Sequence, residues 1–359
     1  MDNFVSCKDG RFYLNHKQFR FIGANVYELA NVGSDVAEKI IYDSFSCGFR
    51  ALRFWLFEND HVSVQVKKLH SICDYVKPYG IKLIVSLADK WGYLQNYKID
   101  ENWYEYGYKS GFLSYTKSIV SEFRDRDEIM IWEIINEPET DSFKTFYDFV
   151  SDVGDTIKSI DDKHIISLGT VGGIGDKFGG YLSVLRKKYF RKIYNLPYID
   201  AISIHDYSYD SSVAERLDTY FRFTGNEKAA VVFRKINNII GSIFHRIDSF
   251  FLEYGKLIHL PFTLRWLWNC FNNRDIKFSK TIGKPLYIGE TGLKSYPARD
   301  RLKIMEFDMQ RKFSAGVSGY VLWSFESQGC SKDGHGYGFS PSDELTQLIK
   351  KWNLKLQEP

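Results

Sequence analysis

Four things are scarce in this 359-residue chain, and each scarcity removes a class of protein. Cysteines number only five (Cys7, Cys47, Cys73, Cys270 and Cys330), widely spaced and without a CxxC pair, so neither a disulfide framework nor a zinc site is implied and they read as buried thiols. Net charge is nearly absent. The 48 basic and 45 acidic side chains leave +3, dispersed rather than gathered into the Lys/Arg runs of a nucleic-acid footprint, so no nucleic-acid partner is expected. Long uncharged apolar runs are missing too, and a spanning helix needs roughly 18 such residues. Finally, the first residues lack the basic start and apolar stretch of a secretory leader. The sequence as given is therefore expected to be cytoplasmic, secretion requiring a removed leader or unconventional export.

What the chain has in quantity is aromatic rings: 28 Phe, 24 Tyr and 8 Trp. Most belong in a core, but sugars have apolar faces and polar edges and suit exposed aromatic platforms. Short β-rich apolar runs at 19–25, 51–57, 82–88, 129–136, 164–170, 201–205, 285–290 and 319–325 alternate with segments of helical period. That is the pattern of parallel βα units, and the count of eight implies an α/β fold, a closed (β/α)8 TIM barrel, as one domain over 1–359. The segment 35–46 reads as a helix that opens with Asp35 and Glu38 at capping-box spacing and stops at Gly48.

One connection is too long. Between Tyr207 and Pro285 lie 77 residues, where a crossover needs only about a dozen, so an enlarged insertion between the sixth and seventh strands is expected at about 211–280. Within it Ile236, Ile239, Ile240, Ile243, Phe244, Ile247, Phe250, Phe251, Tyr254, Leu257 and Ile258 recur at helical spacing, with Pro261 as the stop. From Ala229 to Lys280 there are eight basic residues against three acidic. Such an amphipathic helix either packs on the barrel or lies on a membrane surface. It does not span one, because Lys235, Arg246, Lys256 and Arg265 interrupt it.

Chemistry is concentrated at two strand ends. Ile129 to Asn136 is an apolar run that delivers Glu137 immediately before Pro138, which stops the ladder. Pro285 to Gly289 likewise delivers Glu290, flanked by Gly289 and Gly292, which let backbone and substrate approach closely. The C-terminal ends of barrel strands are where active sites are built. Two carboxyl groups flanking one bond are what glycosidic cleavage needs. A metal site made of the two Glu residues and His205 is the other reading, but no ligand spacing of metal type accompanies either Glu, so no metal and no cofactor is expected.

With these residues placed, the chain resembles glycoside hydrolase family 5 of the large retaining clan, most of all its endo-β-1,4-mannanases. The resemblance runs through Gly23-x-Asn25-x-Tyr27, Arg53-x-Trp55-x-Phe57-Glu58-Asn59-Asp60, Trp132-Glu133-x-x-Asn136-Glu137-Pro138, Asp200-Ala201-x-x-x-His205-x-Tyr207, Gly289-Glu290-x-Gly292, and Leu322-Trp323 followed by Asp333 to Gly338. It implies retention of configuration, with Glu137 as acid/base and Glu290 as nucleophile. It also implies that Arg53 favours the ionised form of Glu290, that Asn136 bonds the sugar 2-hydroxyl, that Tyr207 donates to Glu290, and that His205 lines the reacting-sugar subsite. Trp323 becomes the platform beneath that sugar, Trp91 and Tyr27 further walls, and Trp55 a binding or supporting residue.

The implied substrate is a β-1,4-linked mannan or related polysaccharide or oligosaccharide. A β-1,4-glucanase, an exo-β-mannosidase or a non-catalytic carbohydrate-binding barrel are the alternatives. The pattern departs at Asp89 and Lys90, where Asn-Asn before the Trp is usual, at Glu139 where Arg is common, and at Ser208 where Pro is common.

Overall fold

In the computed structural model the strands close into a ring because each presents two apolar faces, one to the barrel interior and one to surrounding helices. Residues 3–56, 61–92, 99–140, 142–172, 187–208, 225–252, 264–295, 301–330, 332, 334 and 336–357 are described. The chain begins with a small antiparallel sheet of β1 (Ser6–Lys8), β2 (Arg11–Leu14) and β3 (Lys17–Gln18). Eight parallel strands follow: β4 (Phe21–Asn25), β5 (Ala51–Trp55), β6 (Lys82–Ser86), β7 (Ile129–Asn136), β8 (Ile165–Thr170), β9 (Ile202–Asp206), β10 (Leu286–Thr291) and β11 (Gly319–Leu322). They form a closed barrel in sequence order, with β11 returning to pair with β4. All eight expected strands are present, shifted by no more than a few residues at their ends.

Alternation along the strands sorts the side chains. Outward residues such as Leu52, Phe54, Leu83, Val85, Ile166 and Leu168 join the large core beneath the helices. Inward residues at the start of the strands, Phe21, Ala51, Ile84, Ile131, Ile165, Ala201, Tyr287 and Val321, form a second core, with Phe12 of the first sheet among them. Phe12 packs 6.2 Å from Phe21 and 6.3 Å from Tyr287, ring centre to ring centre, so the hairpin stoppers the N-terminal mouth.

The α-helices among the described residues are α1 (Ser34–Ser46), α2 (Val62–Val76), α3 (Leu113–Phe123, preceded by a π-helical stretch Trp103–Phe112), α4 (Phe143–Lys158), α5 (Lys187–Tyr194), α6 (Glu227–Leu252), α7 (Leu264–Ile282) and α8 (Arg301–Ser314), with α9 (Leu345–Lys355) after the last strand. The α1 helix ends at Gly48, whose φ of +85° suits a residue without Cβ, but the expected capping box is absent. Gly33 occupies the N-cap and no side chain bonds there, so Asp35 sits in the first turn, where its charge suits the helix dipole.

Between β9 and β10 the described residues form α6 and α7. The latter covers the barrel with Ile276 and Phe278. Tyr254, Leu257, Ile258 and Pro261 lie outside the described residues, as do 57–60, Asp333 and His335. The expectation of buried thiols holds for Cys47 and Cys73, is met only in part at the half-buried Cys7 and Cys330, and fails at Cys270, which α7 leaves exposed.

At the other end of the chain, Asn353 on α9 accepts from the Ile22 amide (2.9 Å) and donates to the Ile22 and Gly48 carbonyls (3.3 and 2.7 Å). The last helix is thereby clamped to the first barrel strand.

Candidate active site

Both strands that deliver a carboxylate break their alternation just before it. On β7, Ile131 and Glu133 point inward, so strict alternation would turn Asn136 outward; the register against β8 shifts between Glu133 and Asn136, and Asn136 faces the interior instead. On β10, Tyr287 points inward, and the register against β9 shifts between Ile288 and Glu290, bringing Glu290 opposite His205. Gly289 permits this because a Cβ there would lie 2.3 Å from the Ser203 hydroxyl. Glu137 follows β7 at a φ of +43°, a left-handed conformation that costs a residue with a Cβ about 1–3 kcal/mol. Its amide is held by the Gly169 carbonyl at 2.7 Å.

Arg53 organises the interior and is fully buried. Its Nε and Nη2 donate to the Glu133 carboxylate at 3.1 and 2.5 Å, and Nη1 donates to Glu290 Oε1 at 2.7 Å. The remaining bonds go to Asn25 Oδ1 (2.8 Å) and Asn136 Oδ1 (2.7 Å). Asn136 is held at its other end as well, its Nδ2 donating to Asp89 Oδ1 at 3.0 Å, while Tyr27 donates to the second Asp89 oxygen at 3.1 Å. Burial raises the Asp89 carboxyl above its ordinary range despite these donors.

The two glutamates converge on one histidine. Tyr207 donates to Glu290 Oε2 at 3.0 Å and Trp91 Nε1 donates to Glu137 Oε2 at 2.8 Å. His205 Nδ1 lies 2.7 Å from Glu137 Oε1 and 3.5 Å from Glu290 Oε2. Two facing carboxylates assign the proton to Nδ1. An oxygen of Glu137 lies within 4.8 Å of one of Glu290, with the His205 nitrogen inside the same radius. Burial pushes the Glu290 carboxyl up to about 7; the charges of His205 and Arg53 pull it down and Glu137 pushes it further up. Arg53 thus acts in the expected direction, but desolvation outweighs it.

The aromatic residues divide into part-exposed and buried. Tyr27, Trp91, Tyr207 and Trp323 are part-exposed at the rim, whereas Trp55 is wholly buried. The Trp55 ring meets Trp323 edge-on at 5.7 Å and Tyr27 at 4.8 Å, with the Arg53 guanidinium 4.3 Å from its centre. It supports those two rings and faces no open space.

The profile of the cellulase family, glycosyl hydrolase family 5, matches residues 45–328 of this sequence. The chain belongs to that family. It is 27% identical over 215 residues to mannan endo-1,4-beta-mannosidase 1 of Solanum lycopersicum, an alignment covering 48% of this chain and 54% of that one. It therefore spans about half the length of the curated relatives it matches. Its fold is similar to that of the endo-1,4-beta-mannanase from Rhizomucor miehei, with a TM-score of 0.70 at 18% identity over 98% of this chain and 99% of that one. The catalytic domain of an endoglucanase from Thermobifida fusca is also similar, at a TM-score of 0.57 and 12% identity over 99% and 98%. At such identities the likeness concerns the fold, and a family 5 barrel carries more than one sugar preference.

Three features of this family 5 site were not singled out from sequence. Glu133 shares Arg53 with Glu290, and the signal for it was available: a carboxylate in the middle of an apolar strand needs a buried cation, and Arg53 lies mid-strand on β5. Lys90 and Glu139, two separate departures in the sequence, pair with each other, and the Lys90 ammonium lies 5.1 Å from the centre of the Trp91 ring. Behind the site, Lys312 pairs with the buried Asp206, whose carbonyl accepts from Thr291 at 2.6 Å. That contact ties the residue after His205 to the residue after Glu290.

Proposed function

We propose that the protein is a retaining glycoside hydrolase that cleaves β-1,4-linked mannan or a mannan-like oligosaccharide, with Glu137 as acid/base and Glu290 as nucleophile. The observation that carries this reading is the separation of the two carboxylates, whose oxygens approach within 4.8 Å. Retaining pairs stand about 5–5.5 Å apart, whereas inverting pairs leave roughly 6.5–9.5 Å for a water.

In the first step a Glu290 oxygen attacks the anomeric carbon, the glycosidic C–O bond breaks, and Glu137 gives its proton to the departing oxygen. In the second, Glu137 takes a proton from water, which attacks the same carbon and releases Glu290. Arg53 and Tyr207 fix the plane of the Glu290 carboxylate from both oxygens. When Glu290 becomes an ester and loses its charge, Glu133 still balances the guanidinium. Asn136, held by Arg53 and Asp89, keeps one amide N–H for the sugar 2-hydroxyl. His205 lines this subsite, Trp323 is the platform under the reacting sugar, and Trp91 and Tyr27 extend the walls.

Replacing Glu290 by Ala should lower kcat by on the order of 10⁴-fold or more. Azide or formate should restore turnover with inverted stereochemistry, and rescue with the original anomer would refute the nucleophile assignment. Sugar preference is tested by reducing-end release from mannan, glucomannan and carboxymethylcellulose. The mannanase-named relatives support the first, while the endoglucanase neighbour keeps a β-1,4-glucanase as the second reading.

The cluster of Glu137, His205 and Glu290 also has the donor set of a metal site. Against that use, Arg53 already supplies the positive charge at Glu290, so activity should survive a chelator.

A further inference from the structure

The helix α6 carries apolar side chains on a face that the barrel does not cover. Val232, Ile236, Ile239 and Ile243 are 52, 37, 62 and 54% exposed. At about 100° per residue they fall within about 60° of one another, a straight stripe along a helix about 39 Å long. The opposite side is the one that packs, since Ala230 is buried and Phe233 half-buried. Beside the stripe stand two cations, Lys228 and Lys235, both exposed. Ordinary surface helices do not leave several consecutive apolar positions of one stripe in water.

We infer that α6 is a docking surface for an anionic lipid bilayer, lying in the plane of the headgroups with Val232, Ile236, Ile239 and Ile243 in the acyl boundary and Lys228 and Lys235 at the phosphates. The charge pattern selects this occupant over a second copy of the chain. Lys228 and Lys235 line one edge of the stripe, so two copies meeting face to face along it would set like charges beside the seam, whereas anionic headgroups neutralise them. At a membrane surface each of these lysines reaches up to the headgroups along its own aliphatic stem. No helix among the described residues is long and apolar enough to cross a membrane, so the contact is peripheral. This inference is independent of the reaction proposed above.

The test is flotation of the full chain with phosphatidylcholine vesicles, with and without phosphatidylglycerol. The protein should float with the anionic vesicles, less with the neutral ones, and progressively less as salt is raised. Lys228→Ala and Lys235→Ala should each weaken binding about fivefold. Ile239→Asp combined with Ile243→Asp should weaken it on the order of a hundredfold. Because these positions are exposed, the variants should keep the parent Tm. Failure of the parent protein to float with anionic vesicles overturns the inference, as does flotation of the double variant at the parent level. A parent dimer in light scattering that the double variant splits into monomers also overturns it, by assigning the stripe to a second copy.

Discussion

At the N-terminal end of the barrel the inward positions are Phe21, Ala51, Ile131, Ile165, Ala201 and Val321. Two residues further along the same strands they are Gly23, Arg53, Glu133, Ser167, Ser203 and Trp323. The lower layer is stabilised by removing apolar area from water, a gain insensitive to pH. The upper layer gathers the Arg53 guanidinium, His205 and the carboxyl groups of Glu133, Glu137 and Glu290, all buried, in a place that penalises any charge. The difference teaches that one set of strands divides its labour along its length. The lower half and the outer core hold the fold, and the upper half is a destabilised arrangement kept in place by them.

Four changes probe that division. The largest expected effect is that of Glu133→Ala, which strips Arg53 of its bidentate partner and should cost about 3–5 kcal/mol in urea denaturation. A loss below about 1 kcal/mol would show that Glu133 is dispensable to the upper layer. Next is Glu290→Gln, which should stabilise the protein by about 3 kcal/mol in alkaline solution. The sign follows from the raised carboxyl: with a folded value of about 7 against 4.5, the native state prefers the neutral acid. That preference is fully present below about 4.5 and lost as pH climbs through about 7, so parent and variant should converge in acid. Equal stability of the two across the range would break the comparison.

Smaller again is Gly169→Ala, whose Cβ would stand 2.8 Å from Glu133 Oε1 and 2.9 Å from Arg53 Nη2. The clash should cost about 1–3 kcal/mol and lower kcat by moving Arg53. The smallest is Ile165→Val in the lower layer, about 0.5–1.5 kcal/mol at every pH, with kcat and KM unchanged. A change in kcat from that methyl group would show that the two layers are coupled.

The barrel was legible in the sequence because its strands are apolar on both faces, and runs such as Ile129 to Asn136 stand out between helices of a different period. The family was legible too, from motifs spread along the strands. Glu137 and Glu290 could be placed at strand ends, yet alternation alone would have turned both strands' terminal residues the wrong way. The register shifts on β7 and β10 that bring Asn136 and Glu290 inward arise from pairing with neighbouring strands, which no local pattern encodes. The same applies to the Lys90 and Glu139 pair, whose partners lie on different strands' loops. The net position of the Glu290 carboxyl is not legible in the sequence, which reveals the adjacent cation but not the depth of burial that outweighs it. The capping box at Asp35 failed for a more local reason: the helix starts one residue earlier, and Gly33 takes the cap.

The bond between Asn353 and Ile22 has a temporal meaning. It joins residues 331 positions apart, and the β11–β4 pairing that it braces is the last seam of the ring. On the ribosome, β4 emerges before β11 and has one flank without its neighbour until β11 follows, so in the interval the growing sheet exposes backbone donors and acceptors at an open border. Closure therefore follows the other pairings, because it joins strands far apart in sequence. A chaperone that shields the border of β4, or a pause in translation that prolongs its exposure, would change the yield of active protein without altering a single contact of the finished barrel.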